Sequence, residues 1–171
     1  MMRQNFKDWA DREFGYPIPQ EYLSFLEKGE PEPAGRKYYV TDEGNALEIS
    51  EWFTPDNIPV IYKNCREEKM IEAYQLPVLE SCGCTVVLSC NSDKDTYGHV
   101  LLRTSTGYYD ESINENIYEE PEFVAENFAV IICNLKDAEE LEEMGFYDQT
   151  ALRAGAVKGL FMAENAFEGR V

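Results

Sequence analysis

The chain of 171 residues carries 15 Lys and Arg against 33 Asp and Glu, a net charge of −18. A field of that sign repels phosphate backbones and anionic lipid head groups and attracts basic proteins, which sets nucleic acid and membrane surfaces aside as direct ligands. With 44% hydrophobic and 13% aromatic residues the chain is not disordered, and its length fits one domain burying roughly two thirds of its unfolded surface.

The opening MMRQNFKDWADREFG is charged throughout and lacks the apolar run of a secretory signal. No stretch reaches the roughly 18 apolar residues of a membrane span, so the expected compartment is the cytoplasm. Five Cys without a secretory signal are read as reduced thiols rather than as a disulfide framework.

Phe6, Trp9, Ala10 and Phe14 recur at helical spacing and predict a first helix over about residues 3 to 14, ended by Gly15. Pro19 in a first turn, Tyr22, Leu23 and Leu26 on one face and Gly29 at the end predict a second, over 19–28. Pro31 and Pro33 make an extended connection. Residues 36–41 and 46–50, around the turn Asp42-Glu43-Gly44-Asn45, read as paired strands. Ile58, Ile61, Tyr62 and Cys65 predict a helix inside 56–73.

A strand is expected at 76–79. Val86, Leu88 and Cys90 alternate with Val87 and Ser89, and Val100 and Leu102 with Leu101 and Arg103, the period-2 signal of a hairpin whose loop is 91–98. After a turn at Thr106-Gly107 comes a further strand over 108–110, so the strands in sequence favour an antiparallel meander. Residues 112–120 read as polar and irregular. From Pro121 the stripe Val124, Phe128, Ile131, Ile132 and Leu135 predicts a buried helix lying across the sheet. Residues 137–171 read as a helical extension packed on the same domain, with a short helix over 137–144 and another over about 150–167. The fold class expected is α+β: a single domain with a mainly antiparallel twisted sheet flanked by helices.

Cys82, Cys84, Cys90 and His99 hold the ligand types of a zinc site. Their spacing argues otherwise, because Cys84 and Cys90 end one strand roughly 20 Å long if fully extended. Buried structural thiols are the better reading, and no metal or cofactor is expected. A Cys/His nucleophilic pair oriented by Asp93 or Asp95 would be the enzymatic version of the same residues, but no particular Cys is specified as its nucleophile. There is no phosphate-binding glycine loop, HExxH or GxSxG, so the chain is not expected to be an enzyme.

Charge distribution carries more information. Residues 1–103 hold 11 basic and 18 acidic side chains, 104–152 hold 1 and 13, and the remainder 3 and 2. Glu111, Glu115, Glu119, Glu120 and Glu122 stand among Tyr108, Tyr109 and Tyr118, where aromatic anchors within one sign of charge suit a basic protein surface. Asp93 and Asp95, at the tip of the 91–98 loop, are further contact candidates. The competing reading is a solvated acidic face that maintains solubility.

Three blocks occur in order: Ile18-Pro19-Gln20-Glu21-Tyr22-Leu23-Ser24-Phe25-Leu26 ending in Gly29; Leu76-Pro77 with a hairpin strand at Gly98-His99-Val100; and Val124-Ala125-Glu126-Asn127-Phe128. Together they resemble the SMI1/KNR4 (SUKH) superfamily over about residues 5 to 136. The resemblance implies an α+β domain, and a function of immunity type in which the protein binds and neutralises a cognate toxin, often a nuclease or deaminase. It also leaves open a regulatory adaptor of a cell-wall or signalling pathway. The implied partner is a basic toxin domain, with the chain itself a monomer or weak dimer; no catalytic residue is implied.

Overall fold

A computed structural model describes residues 4–29, 35–104 and 107–146, and the backbone of 160–162. Helix α1 (Gln4–Trp9) runs directly into a π turn over Ala10–Phe14, closed by Gly15 at φ 76°. Trp9 and Phe14 are five residues apart, a spacing that α geometry splays and a π turn aligns. Their rings stack at 5.7 Å, and both are buried with Phe6. Helix α2 (Gln20–Lys28) begins one residue later than expected because Pro19 takes the cap position. Its extended ψ of 137° leaves its carbonyl to accept from the Tyr22 and Leu23 amides. Gly29, at φ 84°, ends the helix by donating to Phe25 O at 2.9 Å.

Strands β1 (Tyr38–Val40) and β2 (Asn45–Glu48) pair antiparallel, as expected. Next come β3 (Glu51–Trp52), helix α3 (Ile58–Glu67) within the expected window, β4 (Gln75–Ser81), β5 (Cys84–Ser89) and β6 (Val100–Arg103). Strand β3 pairs antiparallel with β4, β4 with β5 and β5 with β6. Cys82 and Gly83 join β4 to β5 with φ of 47° and 83°, the two left-handed residues of a type I′ hairpin turn. Pro77 sits in central β4, where a missing amide would break a ladder, and the register shifts between Pro77 and Leu79.

The structure departs from the expected meander after β6. Strands β7 (Gly107–Asp110) and β8 (Glu115–Tyr118) form a hairpin of their own. Part of the stretch read as irregular is therefore paired. Strand β9 (Glu122–Ala125) then pairs with β6, giving a five-stranded sheet in the order β3-β4-β5-β6-β9. Residues 122–125, read as the start of a buried helix, are extended because pairing with β6 overrides their helical spacing. The helix is confined to α4 (Phe128–Cys133), capped by Asn127, whose Oδ1 accepts from Val130 N at 3.0 Å.

Helix α5 (Ala138–Glu143) starts with a reciprocal capping box between Asp137 and Glu140. Its Leu141 packs with Phe146, Tyr38 and Ala46 in a small second core. Most of the second C-terminal helix expected over 150–167 lies outside the described residues, as do the connection at 30–34 and residues 105–106. Leu160–Met162, however, is a strand, β10, antiparallel to β2. The chain is thus an α+β domain built on antiparallel sheets.

The main core lies on one face of the five-stranded sheet. Leu76, Val78, Val86, Leu88, Val100 and Leu102 meet Phe6 and Trp9 of α1, Tyr22 and Phe25 of α2, Ile58 of α3, and Phe128 and Ile131 of α4. Phe128 is the centre of an aromatic group, 4.8 Å from the Tyr22 ring and 5.0 Å from Phe25. The opposite face carries a smaller cluster of Cys65, Met70, Ile71 and Val87, bordered by Leu101 and Tyr118. Among the described residues no helix is long and apolar enough to cross a membrane.

Candidate functional site

The acidic and aromatic segment singled out in the sequence is the β7–β8 hairpin and the strand that follows it. The register sets Tyr108 against Ile117, Tyr109 against Asn116 and Asp110 against Glu115. At its tip the Asp110 carboxylate accepts from Ser112 N at 2.9 Å and Ser112 Oγ at 2.6 Å, bonds that hold its carboxyl below the usual carboxylate range. Asn114 takes φ 56° and accepts the Tyr109 hydroxyl on its side-chain oxygen. A short loop is thereby braced without any buried apolar residue.

The hairpin exposes Tyr108 at 64%, Tyr109 at 52% and Ile113 at 53%. Three large apolar side chains left in water on one two-stranded arm do not serve folding, whereas such groups rimmed by polar residues suit an interface. Glu111 is exposed at the tip, and Glu119 and Glu120 are exposed just after β8. Glu115 is partly exposed and paired with Lys69, and Glu122 is half-buried in β9. Tyr118 differs from its neighbours: it is half-buried, with the Arg103 guanidinium 5.7 Å from its ring. Arg103 also donates to the carbonyls of Met70 and Glu119, so one side chain ties the base of the arm to the body. Tyr108 and Ile113, rather than Tyr118, therefore accompany Tyr109 as exposed anchors.

Asp93 and Asp95 are exposed on a different loop, between β5 and β6. That loop is held down by Tyr97, which donates to Pro17 O at 3.1 Å, and by Lys94, which donates to the Tyr74 hydroxyl at 3.1 Å. The register brings neither Asp into the β7–β8 arm.

The cysteines and histidine are placed as follows. Cys84 and Cys90 are buried in and beside β5, and Cys82 is half-buried in the I′ turn, its thiol 3.5 Å from Glu48 Oε2. Burial raises the Cys90 thiol well above its ordinary pKa, and the thiol donates to Leu88 O at 3.5 Å. His99 stacks edge-on against Phe123, ring centroids 5.3 Å apart. Among the described residues no group of three or more His, Cys, Asp or Glu could hold a metal ion. Comparison of the chain with protein-family models, with curated proteins and with solved structures finds no match.

Proposed function

We propose that the chain is a protein-binding domain of immunity type, which neutralises a basic toxin domain, of nuclease class, by occupying its surface inside the cell. The reading rests above all on the β7–β8 arm. It offers Tyr108, Tyr109 and Ile113 to solvent within the segment where acidic residues outnumber basic ones 13 to 1. A nuclease is basic because it holds phosphate, and an acidic partner gains association rate from that field. Aromatic side chains at the centre of such a contact supply the slow dissociation that steering alone does not. The α+β architecture agrees with what the resemblance to the SMI1/KNR4 superfamily implies.

The test uses a purified basic domain encoded beside this chain. Replacing Glu111→Lys together with Glu119→Lys is expected to slow association at least about 10-fold at low salt, with the loss shrinking as salt rises. Replacing Tyr108→Ala together with Tyr109→Ala is expected to act on dissociation instead. Unchanged binding in both variants removes the arm as the interface. Absence of any submicromolar complex with such a domain removes the immunity reading itself.

A further inference from the structure

On the face of the five-stranded sheet opposite the main core lies a cleft of about 350 Å³, lined by Glu72, Tyr74, Ser89, Lys94, Arg103 and Glu120 among others. Ser89 shares the face of Val87 and Thr85 by strand alternation, and Thr85 pairs with Arg103 across the ladder, so its side chain points toward this cleft. Ser89 is 1% exposed and its Oγ has no hydrogen-bond partner. Buried hydroxyls are normally satisfied, and one left open on the floor of a cavity marks where an occupant's polar atom belongs.

The cations around it are held by neutral partners. Arg103 is held by the carbonyl oxygens of Met70 and Glu119, and Lys94 by the Tyr74 hydroxyl, with its Nζ 4.5 Å from that ring's centroid. Among the described residues neither cation forms an ion pair with a carboxylate, although the chain has 33 acids. Glu72 and Glu120, on the same cleft, close none with them either. Two cations and two carboxylates therefore line one small cavity without a direct ion pair, though Glu72 and Glu120 lie near enough to act on the Arg103 charge, and Glu72 on that of Lys94. Glu72 and Glu120 disfavour a phosphate dianion there, and Lys94 and Arg103 disfavour a metal cation. A ligand bearing both signs satisfies both pairs at once.

We propose that this cleft binds a small zwitterion of the α-amino-acid class, its carboxylate toward Lys94 and Arg103 and its ammonium toward Glu72 and Glu120. The Ser89 hydroxyl supplies the remaining hydrogen bond. The volume of about 350 Å³ is at the lower end for small-molecule sites and accommodates an occupant of amino-acid size. Neither Glu111 nor Glu119 lines the cleft, so reversing them tests the protein partner without removing a cleft side chain.

The experiment titrates the full chain with glycine, L-serine, L-glutamine and L-arginine, following backbone amide shifts by two-dimensional NMR. Acetate, methylammonium and inorganic phosphate at matched ionic strength are the controls. At least one amino acid is expected to saturate the Ser89, Lys94 and Arg103 amides with a dissociation constant below roughly 1 mM. Lys94 and Glu120 are exposed, and Lys94→Gln and Glu120→Gln are each expected to weaken that binding at least about fivefold, with unchanged amide shifts in β4, β5 and β6 as the check that the fold is intact. No saturation by any amino acid up to roughly 10 mM overturns the proposal. So does acetate or phosphate binding as tightly as the best amino acid, which would make the cleft an anion site only.

Discussion

The two faces of the five-stranded sheet are used in opposite ways. On one, Leu76, Leu88, Val100 and Leu102 are fully buried beneath four helices, and Phe128 is sealed among Tyr22, Phe25 and Trp52. On the other, a four-residue apolar cluster gives way to the Ser89 cleft and to an arm whose tyrosines stand in water. Burying a side chain of Phe size contributes about 1.5–3 kcal/mol, so the first face accounts for folding. The exposed Tyr108 and Tyr109 contribute almost none of that. What differs is therefore the purpose of the apolar residues: the same residue types hold the fold on one side and remain available to a partner on the other.

The largest expected effect tests that division directly. Phe128→Ala removes the ring at the junction of α2, α4 and β3, and is expected to cost about 3–5 kcal/mol in urea unfolding. Tyr108→Ala, on the arm, is expected to stay within about 0.5 kcal/mol. Comparable losses from the two changes would mean that the arm is part of the core and that the comparison is wrong.

A second, smaller effect comes from pH. Burial raises the Cys90 thiol and the Tyr22 hydroxyl, both on the helical face. A raised folded-state pKa leaves that contribution intact below the unfolded value and removes it as pH climbs toward the folded one. The thiol of the unfolded chain ionises near about 8.5, so from there upward stability is expected to fall by about 1.4 kcal/mol per pH unit, with Tyr22 adding to the slope above about pH 10. The arm has the opposite sign. Ser112 lowers the Asp110 carboxyl, so the tip's stabilisation is present above the ordinary carboxylate range and lost as pH falls through it. Denaturant titrations at pH 7, 9 and 10, with amide exchange of the 110–114 turn at pH 3 and 6, separate the two. A flat alkaline profile would show that Cys90 is not sealed in the folded state.

Much of the helical face was legible because its signals are local. Pro19 and Gly29 bracket α2, Gly15 ends the first helical segment, and the alternation of Val86 and Leu88 with Val87 and Ser89 marks β5. The start of α4 misled, since Val124 and Phe128 are four apart and mimic one helical stripe while the chain between them changes from strand to helix. Asn127 was the available signal, a side chain able to cap the amide of Val130. Strand β8 was not legible because neither strand of the arm has a buried face, and alternation is visible only where burial selects it. The cleft was hidden for another reason. Glu72, Ser89, Lys94, Arg103 and Glu120 are brought together by β-pairing and by a loop, with no spacing that composition or periodicity reports.

A small global effect also belongs to the backbone change that isolates the arm most cleanly. Gly107 opens β7 opposite Tyr118, and a Cβ placed there would collide with the Ile117 carbonyl oxygen, a backbone atom that cannot swing aside as a flexible side chain would. Gly107→Ala must therefore push β7 away from β8 while leaving Leu102, Phe128 and their neighbours untouched. Global unfolding is expected to shift by less than about 1 kcal/mol, because a two-stranded ribbon without a buried face adds little to stability. Amide protection across β7 and β8 is expected to collapse, and binding of the basic partner with it, since the tyrosines lose their fixed placement. Loss of binding with an intact core assigns recognition to the arm's geometry rather than to its charge, which the substitution leaves unchanged. Retained protection, or a global loss as large as that of Phe128→Ala, would show instead that the arm and the core unfold as one unit.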